Sequence, residues 1–293
     1  MTMSVEAIEG VAAGVPFVAL PPSDRERPAP LVLTWHLLGA PFSEAAMAAA
    51  LPMRRLHAWR VHLGLPLTGK RFPEGGFEGF FRLASEDNVL NVVEPLTKQV
   101  EAEFPAAVAE LRSSLSIEDG PVGLVGGSQG GAVALQMLTH AEIEVAAAAL
   151  VNPVTQLAPV IAANERVYDI TYHWSDRSRA VANEYDYVRR AEELTAPVLL
   201  VIGEEDDVSI TEPAEALHKA LGERRSELVT IPGMAHEFAE APGLEPAPQT
   251  EHAKLVDAEL TRWFARHLGV DRTHRAAPSC LRSSSGSQDR AGS

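Results

Sequence analysis

The residues with the most distinctive chemistry lie in Gly126-Gly127-Ser128-Gln129-Gly130, where Gly126, Ser128 and Gly130 fit G-x-S-x-G. That spacing predicts a strained turn between a strand and a helix, with the serine hydroxyl pushed outward. Glycine is needed on both sides because such a turn brings backbone against backbone. A serine hydroxyl is a poor nucleophile unless a base takes its proton. The base in turn needs a third group to fix its tautomer and stabilise its charge. Those partners are expected in loops at the carboxyl ends of other strands. Two loops qualify: Gly203-Glu204-Glu205-Asp206-Asp207 and Pro232-Gly233-Met234-Ala235-His236, each directly after an apolar run. Spacing from Gly203 favours Asp206, with Glu205 and Asp207 as alternatives. Of the 10 histidines, His236 is singled out by its position after a strand and the turn residues before it.

The elements that must hold these residues read as an alternation. Apolar runs at 15–20, 31–36, 61–67, 121–125, 145–151, 196–203 and 228–231 predict strands, several of them continuous enough to be buried on both faces. Between them, helices are expected from Ser43, a good N-cap, to Leu51, over 92–115, after Ser128, through Leu217, and over 250–268. Pro105 must kink the second of these or begin a new helix. Residues 69–88, with four glycines and little periodicity, are expected to be a surface loop. Residues 154–195 interrupt the alternation with helical pieces and no clear strand. Strands alternating with helices imply a mostly parallel sheet covered on both sides. Beyond Leu268 the composition turns polar, and 269–293 are expected to be a disordered tail.

The order Ser128, Asp206, His236, each in its own motif, resembles the α/β-hydrolase superfamily over roughly residues 12–268. The resemblance implies a central, mostly parallel sheet flanked by helices, with 154–195 as a helical cap insertion. It implies Ser128 as nucleophile, His236 as general base and then acid, and Asp206 as the orienting carboxylate. Two backbone N–H groups must hold the developing oxyanion. Gln129, next to the nucleophile, is one. The other is expected from Leu38, in the loop His36-Leu37-Leu38-Gly39, where the family's usual glycine is replaced by Leu37. Leu37 and Leu38 are alternatively walls of an acyl pocket. All 4 tyrosines fall in the insertion with Trp174. Tyr168, Tyr172 and Trp174 are therefore candidates for substrate contact, the competing reading being that the rings fasten the cap to the sheet. The expected activity is hydrolysis of a carboxylic ester, or of an amide or thioester, with a small-molecule acyl substrate. The alternative is an inactive binding or scaffold protein on the same fold.

Composition narrows the partners. The formal charge of −15 over 293 residues argues against a nucleic-acid surface or an anionic membrane. The 1 cysteine, Cys280, lies in the polar tail, so no internal disulfide is expected, and no run has the length of a membrane span. Cytoplasmic residence is the expectation. Gly64 to Lys70 follows a phosphate-binding loop template until Arg71 replaces the Ser or Thr that would hold magnesium, and Phe72-Pro73 is a poor helix start. Neither a dinucleotide fingerprint nor a zinc-ligand pair is present, so no cofactor and no metal are expected.

Overall fold

The computed structural model describes residues 7–25, 27–140 and 142–270. The expected tail therefore lies almost wholly outside the described residues. Eight strands form one sheet in the order β1-β2-β4-β3-β5-β6-β7-β8. They are β1 (Ile8–Ala12), β2 (Val15–Leu20), β3 (Leu31–Trp35), β4 (Trp59–Leu63), β5 (Val122–Gly127), β6 (Val145–Val151), β7 (Val198–Gly203) and β8 (Ser226–Ile231). The β1–β2 and β2–β4 pairings are antiparallel. All others are parallel.

Side chains alternate across a strand, so each central strand feeds two cores. On one face Leu33, Trp35, Leu124, Leu150 and Leu200 meet Phe104 of helix α3 (Glu94–Ser114) and Leu135 of α4 (Gln129–His140). On the other, Val32, Val125, Ala149 and Val201 meet Met47 of α1 (Glu44–Ala50) and Val256, Leu260, Trp263 and Phe264 of α8 (Glu251–His267). Burial on both faces is why these strands read as unbroken apolar runs. Each buried Leu or Val contributes about 1.5–3 kcal/mol relative to an exposed one. The register pairs Trp35 with Gly126, Gly126 with Leu150, Val151 with Val201 and Gly203 with Ile231. The carboxyl ends of β3, β5, β6, β7 and β8 are thereby brought to one edge, where open parallel sheets bind ligands.

Several expectations are corrected. The edge strand β1 was not anticipated, and β4 runs over Trp59–Leu63 rather than 61–67. The expected loop at 69–88 instead contains helix α2 (Gly76–Asn88). Its glycines hide an apolar face: Phe80, Leu83 and Ala84 dock with Phe42. Near its end Asp87 takes extended backbone (φ −163°, ψ 100°), and its carboxylate accepts the Leu90 N–H at 2.9 Å. That is an N-cap bond, and it restarts the chain as a π-helical turn, Val89–Val93, that runs into α3. Pro105 neither ends nor restarts α3, which continues through it at the cost of one ladder bond.

The segment 154–195 contains α5 (Leu157–Tyr168), α6 (Asp176–Glu184) and a short 3₁₀ turn. Two of its tyrosines fasten it to the sheet layer. Tyr187 is buried, donates its hydroxyl to Gln136 Oε1 of α4 at 3.1 Å, and stacks with buried Tyr185. Among the described residues, no helix is long and apolar enough to cross a membrane.

Candidate active site

Ser128 follows β5 directly and precedes α4, with φ at +48°. That left-handed conformation is unfavourable for a residue with a Cβ and marks stored strain. The flanking glycines make it possible. A Cβ on Gly126 would overlap the Gly130 carbonyl, and one on Gly130 would sit 2.6 Å from the Trp35 carbonyl oxygen. The turn is pinned to β6, because Ser128 N–H donates to Val151 O at 3.0 Å and Val154 N–H to Ser128 O at 3.1 Å.

The three expected side chains meet at the sheet's carboxyl edge. His236 Nδ1 lies 2.9 Å from Asp206 Oδ2 and 3.1 Å from Oδ1. A carboxylate only accepts, so Nδ1 carries the proton and Nε2 is left as an acceptor. Ser128 Oγ donates to that Nε2 at 2.8 Å. The Asp206 side chain is only 1% exposed, which withholds it from water and keeps its charge on the imidazole. Its neighbours are otherwise occupied. Asp207 is the N-cap of α7 (Val208–Leu221), accepting the Ser209 N–H at 2.8 Å, and Glu205 is exposed. This hydrogen-bond chain is the arrangement that raises a serine hydroxyl to a nucleophile.

Two backbone donors stand beside the serine in sequence and topology. Among the described residues neither Gln129 N–H, at the start of α4, nor Leu38 N–H has a protein acceptor. A free N–H at a helix start is a ready anion donor. The Leu38 peptide is held from behind. Buried His36 donates Nδ1–H to the Leu37 carbonyl at 2.6 Å, while its Nε2 accepts the Leu65 N–H at 3.3 Å and lies 3.2 Å from Thr68 Oγ1. Because Leu37 C=O and Leu38 N–H belong to one planar peptide, fixing the carbonyl fixes the direction of the N–H. Burial pushes the His36 imidazole down to about 4, only partly offset by its bond to Leu37, so it stays neutral near pH 7 and keeps this geometry.

The expected substrate residues are not gathered in one place. Leu37 is fully buried, its side chain pressed on Gly127 within the Met47 and Val125 core, so it presents no surface to a ligand in this conformation. Leu38 packs instead against a ring cluster of Phe42, Phe72 and Phe80, whose outer members Phe77 and Phe81 remain 43% and 50% exposed. Tyr172 and Trp174 meet edge to face at 4.8 Å, and the Tyr172 hydroxyl donates to Asp87 Oδ1 at 2.6 Å, tying the insertion to the end of α2. Burial first, and then that bond, pushes the Tyr172 phenol up to about 12. Tyr168 stands apart at the end of α5, 65% exposed. Among the described residues no group of His, Cys, Asp or Glu is arranged to hold a metal ion.

His36 and Asn152 were missed as contributors to this edge. The sequence places His36 in the loop His36-Leu37-Leu38-Gly39 and Asn152 just after the 145–151 strand, but assigns neither side chain a role. That closing position before Pro153 was the available signal.

The fold and a family match place the chain among the serine hydrolases of the α/β-hydrolase superfamily. Within that class the match is specific: residues 90–271, more than half of the chain, match the prolyl oligopeptidase family, and the chain belongs to it. Comparison with curated proteins finds no match. Among solved structures, TT1662 from Thermus thermophilus is similar at 20% identity and a TM-score of 0.61, over 89% of this chain and 98% of that one. The Pyrococcus horikoshii acylaminoacyl peptidase is similar at 14% identity and a TM-score of 0.62, over 91% of this chain. This chain spans only 42% of that peptidase. The Pyrococcus furiosus esterase Pf2001 is similar at 12% identity and a TM-score of 0.57, over 91% of this chain and 94% of that one. At these identities the likeness shows the fold.

Proposed function

We propose that the chain hydrolyses a carboxylic ester with an apolar acyl group through an acyl-enzyme on Ser128. The observation that carries the reading is the hydrogen-bond chain from Ser128 Oγ through His236 to Asp206, at 2.8 and 2.9 Å. Ser128 Oγ attacks the carbonyl carbon while its proton passes to His236 Nε2. The carbonyl oxygen takes the negative charge and is held by Gln129 and Leu38 N–H. Asp206 stabilises the imidazolium without accepting its proton. His236 then gives that proton to the leaving oxygen as the carbon–oxygen bond breaks, leaving the acyl group on Ser128. Water repeats the sequence: it attacks the acyl carbon, His236 takes its proton and returns it to Ser128, and the carboxylic acid departs.

Two observations favour an ester over a peptide. The Leu38 side of the site is bordered by the phenylalanine cluster, an apolar wall for an acyl chain. This chain is also similar along nearly its full length to an esterase, whereas it spans under half of the acylaminoacyl peptidase. The test is a panel of aryl esters of graded acyl length beside aminoacyl arylamides. Turnover of the esters at least about a hundredfold above the arylamides is expected; the reverse order would make the chain a peptidase.

A further inference from the structure

Asn152 sits at the carboxyl end of β6, is fully buried, and has φ at +44°, a region that Asn tolerates better than most residues. Its side chain is satisfied three times over. Nδ2 donates to Ala235 O at 3.0 Å and to His236 O at 2.9 Å, and Oδ1 accepts Gly203 N–H at 2.7 Å. Two carbonyls can only accept and one N–H can only donate, so these partners fix which end of the amide is nitrogen. A fourth bond, Asn152 N–H to Val201 O at 2.8 Å, ties its backbone to β7.

These partners are the roots of the catalytic loops. Gly203 begins the turn that ends at Asp206, with Asp206 N–H donating back to Gly203 O at 3.3 Å. Ala235 and His236 form the turn that carries the imidazole. Val151, just before Asn152, and Val154, two residues after it, bond the backbone of Ser128. Three residues at the end of one strand, Val151, Asn152 and Val154, therefore bond the backbone supports of Ser128, Asp206 and His236 together. An Asn is suited to this role because it alone joins two donors and an acceptor on one short, uncharged, planar group; Asp lacks the donors, and Gln is a methylene too long.

We infer that Asn152 is a positioning residue for hydrolysis: it sets the His236 loop against the Asp206 loop so that the imidazole bridges Ser128 and the carboxylate. The inference rests on the acyl-enzyme reading above. Without Asn152 the His236 turn loses the side-chain bonds to the Ala235 and His236 carbonyls, and the imidazole spends less time in the bridging geometry on which proton transfer depends.

The experiment compares wild type with Asn152→Ala and Asn152→Asp on one aryl ester. Active sites are counted by the burst of a fluorophosphonate titrant, and kcat per titrated site and KM are measured for each protein. Asn152→Asp matches the native volume and keeps the bond from Gly203 while losing both donors, so it serves if the Ala variant does not fold. A positioning role lowers kcat per titrated site by about a hundredfold with KM within about threefold. A merely structural role lowers the titratable fraction while kcat per site stays at the wild-type value, and that result overturns the inference. Wild-type protein that neither labels nor turns over overturns the acyl-enzyme reading, and this inference with it.

Discussion

Stability should fall steeply when the pH is lowered from about 8 to about 5, and two buried histidines set much of the amount. His36 and His62 are both fully buried, and burial pushes them down to about 4 and about 3 from 6.5. The Arg60 charge adds to the shift at His62. Above the unfolded value of 6.5 neither state binds these protons, so the native contacts carry their full weight. Below it, the unfolded chain takes up protons that the folded chain refuses, and stability is lost until the folded pKa is reached. At pH 5 each histidine contributes a loss of about 2 kcal/mol, about 4 together, a large part of a typical domain's 5–15. His62 separates this effect from the candidate active site. It pairs in register with Thr34 on β3, and neither of its ring nitrogens has a protein hydrogen-bond partner. His62→Leu therefore breaks no hydrogen bond while removing one titrating group. Urea unfolding followed by tryptophan fluorescence at both pH values should show the variant losing about 2 kcal/mol less than wild type over that interval. An equal loss in the two proteins would refute the assignment of acid sensitivity to buried neutral His62.

The carboxylates of the 204–207 turn should separate cleanly: Asp206→Asn lowers kcat on the order of 10⁴-fold by leaving His236 in the wrong tautomer. Asp207→Asn leaves kcat within about twofold and Asp207→Ala costs about 1 kcal/mol of stability as a lost helix cap; steady-state kinetics and thermal unfolding read the two effects apart. His36→Leu should lower kcat about 10²-fold by freeing the Leu37–Leu38 peptide, whereas His36→Asn, which retains a donor near the Nδ1 position, should keep most of the activity. Gly130→Ala should reduce the yield of folded protein, since its Cβ meets the Trp35 and His36 carbonyls; circular dichroism checks it.

How far these features could be read in advance depended on whether their cause was local. The turn at Ser128 is written in five consecutive residues, because its strain demands glycine at fixed offsets. The sheet was legible because strands buried on both faces must be apolar throughout. Asp206 could be preferred only by spacing from Gly203; the structure adds that Asp207 is committed to capping α7 and that Asp206 faces His236. Helix α2 was hidden because Gly75, Gly76 and Gly79 outweigh its apolar face in any local count, and that face acquires its partner Phe42 only through tertiary contact. Leu37 and Leu38 are identical in type and adjacent in sequence. That one enters the core and the other borders the site is a matter of backbone direction, fixed by His36 and by the hollow over Gly127. Asn152 escaped notice because its partners lie 51 to 84 residues away.

The most direct measurement is fluorophosphonate labelling of native protein with the adduct mapped by mass spectrometry, beside Ser128→Ala. One adduct, on Ser128, is expected, together with a folded Ser128→Ala variant that neither labels nor turns over ester. An adduct elsewhere, or turnover that survives in Ser128→Ala, would contradict the acyl-enzyme reading.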